Sequence, residues 1–432
     1  MAEEGDPLVV TSGDGIRVSD ASGGTWIDVN GGYASVHAGY GRTEIADAAY
    51  EQMKRLAYFP PGTTVEPVVR LAEKLARITP GDLSRVYFVS GGSEANESAV
   101  KIAKAYHQRT GSSGRYQVIS RRGSYHGAHG VTTWLGGTPG ASRSDYGPPP
   151  PGMLYAPQPY QYRCEFNTSS PSECAERCAR AVEDLIVLHR PQSIAAVIAE
   201  PVATPPGAAV PGDEYWPLLR EICTKYEIVL IADEVVTGFG RTGRMFGCEH
   251  WGVEPDVMTV AKGIVSSYLP IGAAIATSNI ADAFSGGEKS RPLSHTLTFS
   301  GHPVAAAAAL KNIEIIESEA LVENSAAMGA YFLECLEGIE DRHRIVGAVR
   351  GIGLLLAVEL VRDRATKAPF GEDADIGARL TAAFRARGLI LRVTSGVISL
   401  APPLIVTRDD IDEIVAGLDE SIGEVAAQLG AT

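Results

Sequence analysis

Two apolar runs end on residues that can do chemistry. Asp256-Val-Met-Thr-Val-Ala-Lys262-Gly263 carries a lysine where a buried strand should end, and Leu230-Ile-Ala-Asp233-Glu234 ends on two acids. Burying a lysine as a cation is costly, so a lysine there either snorkels to solvent or works as a neutral amine. A neutral amine can condense with a carbonyl to form a Schiff base. An aspartate at the end of a neighbouring strand can hold the nitrogen of a pyridinium ring. Together the two point to pyridoxal phosphate (PLP), whose chemistry needs a lysine and an acidic partner for the ring nitrogen.

Four further segments could complete such a site. Ser90-Gly91-Gly92-Ser93-Glu94-Ala95-Asn96 runs from an expected strand into an expected helix. Its small residues let backbone N–H groups approach an anion at the helix N-terminus, with the Ser93 hydroxyl added; the plain alternative is an ordinary capped turn. Ser124-Tyr125-His126-Gly127 places an aromatic at a strand end, where it can stack on a flat ring or simply pack. Val235 would cover the ring face opposite Tyr125. Thr298, in His295-Thr-Leu-Thr298-Phe299-Ser300-Gly301-His302-Pro303, either donates to a phosphate or lies in the loop that caps the next helix.

Gly238-Phe-Gly240-Arg241-Thr-Gly243 matches the dinucleotide fingerprint letter for letter. The residues after it do not continue as an amphipathic helix, and the two acids before it would repel a pyrophosphate. A nicotinamide oxidoreductase is therefore rejected. Six cysteines are scattered along the chain; Cys174 and Cys178 share a face of an expected helix, Pro171–Ile186. No histidine stands at finger-like spacing from them, so no metal site is expected and the thiols read as reduced and non-catalytic.

The elements that must position these residues follow a βαβ rhythm. Strands are expected at Arg85–Val89, Tyr116–Ser120, Ile194–Glu200, Ile228–Asp233, Val257–Ala261 and Ala273–Ala276, with helices including Ser93–His107 and Asp213–Lys225. That is an α/β fold with a doubly wound, mainly parallel sheet. Before it come a hairpin over Gly15–Val29 and helices over Glu44–Met53 and Glu66–Ile78. Gly136–Arg163, with four consecutive prolines, is expected to be a long loop rimming the active site. His302–Leu321 is a helix that opens on Pro303. The tail resets to a strand pair over Val349–Leu360, a helix over Asp375–Arg387, a strand pair over Ile390–Leu400 and a closing helix over Arg408–Leu429.

The chain has 432 residues, 45% of them hydrophobic and 21% charged, enough for two cooperating subdomains. A formal net charge of −14 argues against nucleic acid or an anionic membrane as partner. No run is long and apolar enough to span a membrane. The acidic start Met-Ala-Glu-Glu-Gly-Asp lacks the basic and apolar regions of a signal peptide, so the expected location is cytoplasmic.

Taken together, these motifs resemble the class III (omega) aminotransferases of the type I PLP fold, from about Gly15 to Leu429. The quoted segments carry the resemblance, with Asp233-Glu234-Val235-Val236-Thr-Gly-Phe-Gly-Arg241-Thr-Gly and Ala261-Lys262-Gly263 at its centre. Lys262-Gly-Ile-Val-Ser-Ser-Tyr-Leu-Pro-Ile-Gly-Ala is most similar to the pyruvate-dependent omega-amine branch. The resemblance implies a large PLP-binding domain over residues 56–313 and a small domain built from residues 1–55 and 314–432. It implies ping-pong transfer of an amino group from an amine donor to an α-keto acid acceptor by a homodimer with interface active sites. An isomerase or epimerase on the same scaffold is the alternative. Carried over by position, Lys262 binds PLP covalently, Asp233 pairs the ring nitrogen, and Tyr125 and Val235 sandwich the ring, with His126 beside Tyr125. Gly92 and Ser93 bind the phosphate, joined by Thr298 from the second subunit. Arg392, in Leu391-Arg392-Val-Thr-Ser-Gly, matches a mobile arginine for the acceptor's carboxylate. The branch often has Leu-Trp before Gly-Tyr-Gly-Arg, where this chain has Tyr33-Ala34. Ala34 in place of an indole implies a donor side open to larger amines unless Tyr33 or Phe59 fills it.

Overall fold

A computed structural model describes residues 8–136, 143, 145–285 and 292–431. The acidic N-terminal hexapeptide and part of the proline-rich loop lie outside that set. In chain order the strands are β1 (Val10–Asp14), β2 (Arg17–Asp20), β3 (Thr25–Asp28), β4 (Leu83–Val89), β5 (Gln117–Arg121), β6 (Met153–Ala156), β7 (Ile194–Ala199) and β8 (Val229–Asp233). They continue as β9 (Val257–Val260), β10 (Gly272–Thr277), β11 (Val346–Ile352), β12 (Leu355–Leu360), β13 (Leu389–Ile390), β14 (Arg392–Thr394) and β15 (Val397–Leu400). The chain divides into two compact units. One comprises Ile45–Phe239 and Arg244–Glu314, the other Met1–Glu44, Gly240–Gly243 and Ile315–Thr432.

The larger unit is built on a seven-stranded sheet in the order β4-β10-β9-β8-β7-β5-β6. Only β10 runs against the rest, antiparallel to both β4 and β9. Every residue of β7, β8 and β9 is buried. That explains why these strands read as continuous apolar runs rather than alternating ones: helices cover both faces of a parallel sheet. One helix, Gly92–Arg109, follows β4, and its Ala99, Ala103 and Val100 pack with Val118, Ile198 and Ile231 of the sheet. On a second core, Cys174, Ala175, Val182 and Ile186 of helix Pro171–Leu188 meet Trp216, Leu219 and Cys223 of helix Tyr215–Lys225.

The smaller unit holds two four-stranded sheets, β1-β2-β3-β13 and β11-β12-β15-β14. The expected hairpin forms between β2 and β3. Asp20 closes its turn by accepting from Ser22, Trp26 Nε1 and the Gly24 amide, and these bonds hold its carboxyl down at about 2. Helix Arg408–Gln428 opens on a capping box between Thr407 and Asp410, and Arg17 on β2 pairs with Asp410 and Glu413.

Three expectations need correction. The proline-rich stretch is not all loop, because Met153–Ala156 joins the sheet edge parallel to β5. Helix Leu321–Arg342 was not expected. The preceding helix ends at Ser318, and the break falls on Ala320 in a left-handed conformation (φ 51°), with no glycine or proline to announce it. The anticipated pair over Ile390–Leu400 is really three strands. β13 adds parallel to β3, while β14 and β15 join the other sheet.

Candidate active site

The parallel strands end at one rim of the sheet, where open α/β sheets place their ligands. Asp233 is the last residue of β8 and pairs in register with Thr259 of β9. Lys262 follows the end of β9, in the short turn Lys262–Ile264. Tyr125 and His126 follow β5, and Gly92 and Ser93 open the helix after β4. Strand order thus gathers four segments far apart in sequence.

Asp233 is buried, and its carboxylate sits in a fixed set of donors. Oδ2 accepts from Asn96 Nδ2 at 2.7 Å and from His126 Nδ1 at 2.7 Å. Oδ1 accepts from the Val235 amide at 3.1 Å. The Thr259 hydroxyl is 3.4 Å from the same oxygen but only 2.7 Å from Asn96 Oδ1. A hydroxyl has one proton, and the shorter bond takes it. Oδ1 can therefore accept one more N–H donor, such as a protonated ring nitrogen. Asn96 also donates to the His126 carbonyl at 2.9 Å, so one amide ties together the acid, the histidine loop and β9. Asn96 and Thr259 are buried partners around this carboxylate that motif reading missed. The signal was present in Val-Met-Thr-Val, where one hydroxyl in a wholly buried strand must find a partner.

The second acid, Glu234, has a different job. It accepts from Thr237 Oγ1 and from the amides of Gly247 and Cys248. Burial pushes its pKa up, against these bonds, which lower it. Glu234 thereby fixes the loop after β8 and belongs to the scaffold. No helix follows Gly238–Gly243 directly, as the rejection of a dinucleotide fingerprint requires.

Tyr125 is 56% exposed, so its ring is available to stack. Its amide donates to Glu200 Oε1 at 3.1 Å, and Glu200 forms a buried ion pair with Arg121 at 3.0 Å. That pair fixes the backbone beneath the ring. The Ser93 hydroxyl accepts from the Ala128 amide at 3.1 Å, joining the Tyr125 loop to the helix N-terminus. Gly127 (φ 128°) permits this approach, since a Cβ there would lie 2.6 Å from Ser93 Oγ. A Cβ on Gly92 would lie 2.8 Å from Val235 Cγ1, so only glycine lets Val235 stand beside the helix start. Gly91 caps that helix without a side-chain bond, which leaves the first-turn N–H groups for an anion.

Lys262 is partly buried and adopts a left-handed backbone (φ 48°), as do Ser266 and Ser267. For residues with a Cβ this conformation costs about 1–2 kcal/mol each. Asn312 holds the loop in place, donating to the Gly263 carbonyl at 2.8 Å and accepting from Ser266 Oγ at 2.7 Å. Thr298 is exposed, and its carbonyl receives the Tyr58 hydroxyl at 2.9 Å. Phe59, 46% exposed, is next to Tyr58. In the smaller unit the Arg392 guanidinium lies over the Tyr33 ring, 5.2 Å from its centre. Ala34 is buried while Tyr33 is 63% exposed.

The residues fit PLP. A buried carboxylate has one open acceptor position, a helix start offers free amides beside Ser93, an aromatic ring is uncovered, and a lysine follows the adjoining strand. The family profile described as Aminotransferase class-III matches residues 1–422. A taurine–pyruvate aminotransferase from Bilophila wadsworthia is 39% identical, over 98% of this chain and 94% of its own. Among solved structures, an (S)-enantioselective omega-transaminase from Thermomicrobium roseum has a TM-score of 0.93 and 42% identity, covering 98% of this chain and 93% of its own. An amine transaminase from an uncultivated Pseudomonas species, solved with PLP bound, has a TM-score of 0.95 and 38% identity, covering 98% of both chains. These relatives bear the names of transaminases, which disfavours the isomerase alternative. The chain belongs to the class III aminotransferases, PLP-dependent enzymes of the type I fold.

Proposed function

We propose that this aminotransferase moves an amino group from a primary amine or ω-amino acid to pyruvate, in two half-reactions that use one pocket in turn. Pyruvate is the acceptor in the name of the Bilophila relative, and the segment after Lys262 matches the pyruvate-dependent branch. PLP supplies the carbonyl that captures the amine and the ring that takes up the electrons of the broken C–H bond. Lys262 holds the cofactor between turnovers. Released by an incoming amine, its Nζ would take up the proton lost from the substrate carbon and give it back in the next proton transfer. Asp233 keeps the ring nitrogen protonated, oriented by Asn96 and His126. Tyr125 and Val235 cover the two ring faces. Gly92, Ser93 and the first-turn amides take the phosphate. Arg392 receives the carboxylate of the keto acid and leaves when an amine without one enters.

Thr298 of a second copy completes the phosphate site, which makes the working form a homodimer. Exposed aromatics beside it support that assignment: Tyr58 and Phe299 stack edge to face at 6.1 Å, and Phe59 is adjacent. Six free cysteines fit a reducing, cytoplasmic setting.

The observation that carries the proposal is the open acceptor position on Asp233, at the strand end beside the one that leads to Lys262. Lys262→Ala should lose both alanine formation from pyruvate and the visible absorption of lysine-bound cofactor. A variant that kept covalent PLP would move the attachment to another lysine and reject the assignment.

A further inference from the structure

Away from the active site, the fold assembles a second cluster of reactive groups. Cys164, Cys174 and Cys178 are buried, and their Sγ atoms all lie within 4.8 Å of one another. Chain spacing pairs only the last two, one helical turn apart on helix Pro171–Leu188. Cys164, just after the short turn Gln161–Arg163, is brought in by the fold. Cys178 Sγ donates to the Gln158 carbonyl at 3.4 Å. Nothing in the transamination chemistry uses these groups.

We propose that Cys164, Cys174 and Cys178 form a closed structural site for a thiophilic divalent cation of the zinc class, with the Gln158 carbonyl oxygen as fourth ligand. The geometry matches. Zn–S bonds of about 2.3 Å and Zn–O bonds of about 2.0 Å in a tetrahedron require S···S edges near 3.8 Å and S···O edges of about 3.5 Å. One of the three S···O edges, Cys178 to Gln158, is already present at 3.4 Å, and the sulfurs need to close by no more than about 1 Å from the 4.8 Å limit. Charge favours a divalent ion: three thiolates leave one net negative charge with it and two with a monovalent ion. Cys174 lies in the second turn of a helix whose N-terminus is capped by Ser170, near the positive end of the dipole. On binding, each S–H gives its proton to buffer as a sulfur–metal bond forms, and no electrons are transferred. The bound ion would pin the segment from Gln158 to Thr168 onto the helix that follows it.

The test uses the full-length PLP-loaded protein, stripped with chelator under reducing conditions and titrated with Co²⁺. Tetrahedral d–d bands should saturate at about one Co²⁺ per chain and be displaced by Zn²⁺. Zn²⁺ should raise Tm. Cys164→Ser and Cys178→Ser should each lose the bands, while Cys335→Ser keeps them. Because a serine in this core can unfold the chain, the unmodified protein decides by itself. Absence of tetrahedral bands there overturns the site. So do bands that persist in a folded Cys164→Ser, or an intact mass that shows two of the three thiols joined as a disulfide.

Discussion

At the scale of single residues, the site depends on how one carboxylate is held. Asp233→Asn removes the charge proposed to keep a ring nitrogen protonated and should cost on the order of 100-fold in kcat. Asn96→Ala leaves the charge but removes a 2.7 Å bond to it. A hydrogen bond to a charged group is worth about 1.5–3 kcal/mol, so kcat should fall roughly 10- to 100-fold at saturating PLP. Unchanged turnover in Asn96→Ala would show that His126 and Val235 orient the acid unaided. Arg392 poses the opposite problem, since the proposed carboxylate switch requires it to move. Its contact with the exposed Tyr33 ring is worth about 0.5–1 kcal/mol, weak enough to release. A bidentate pair with a carboxylate is stronger. Arg392→Ala should therefore raise the KM for pyruvate roughly 10- to 100-fold and that for an amine donor far less. Equal rises in the two half-reactions would remove the arginine from acceptor recognition.

At the scale of elements, the turn Gly31–Ala34 carries the residues proposed for the donor side. All four residues have positive φ, between 51° and 63°. Asp28 braces the turn, accepting from the amides of Asn30 and Gly32 and from the Tyr40 hydroxyl. The result exposes Tyr33 and buries Ala34, and on the proposed reading the methyl group presents no wall to a donor. An indole buries roughly 200 Å², and each methylene that gains apolar contact contributes about 0.8 kcal/mol. In a donor panel, kcat/KM should hold or rise from short alkyl amines to long-chain amines and diamines. Ala34→Trp should reverse that trend and spare the short donors. A uniform loss across all donors would instead assign position 34 to the core of its own unit. The same scale explains the missed helix Leu321–Arg342. Helix ends are legible when glycine, proline or a cap marks them, and a left-handed alanine leaves no mark.

At the scale of the whole molecule, the proposed phosphate site includes Thr298 of a second copy. Phe299 is 59% exposed beside Thr298, with Tyr58 against its ring. In the proposed dimer, Phe299→Asp should bury a charge at the interface, shift light-scattering mass toward the monomer and weaken PLP retention together. A variant that stays dimeric and holds PLP would move the interface elsewhere.

The amino-acid sequence by itself determined the strands that carry the chemistry. A lysine and an acid at the ends of continuous apolar runs are visible because buried parallel strands tolerate little else. It also determined the glycine-rich helix start, through residues too small to block an anion. Tertiary structure alone decided which polar groups meet. Asn96, Thr259 and His126 converge on Asp233 only because β8 and β9 pair in register and the helix after β4 crosses them. The same holds for Arg392 over Tyr33 and for Cys164 beside Cys174 and Cys178. Hydrogen bonds and ligand sets depend on distance in space, and sequence spacing reports that distance only within one helix or strand.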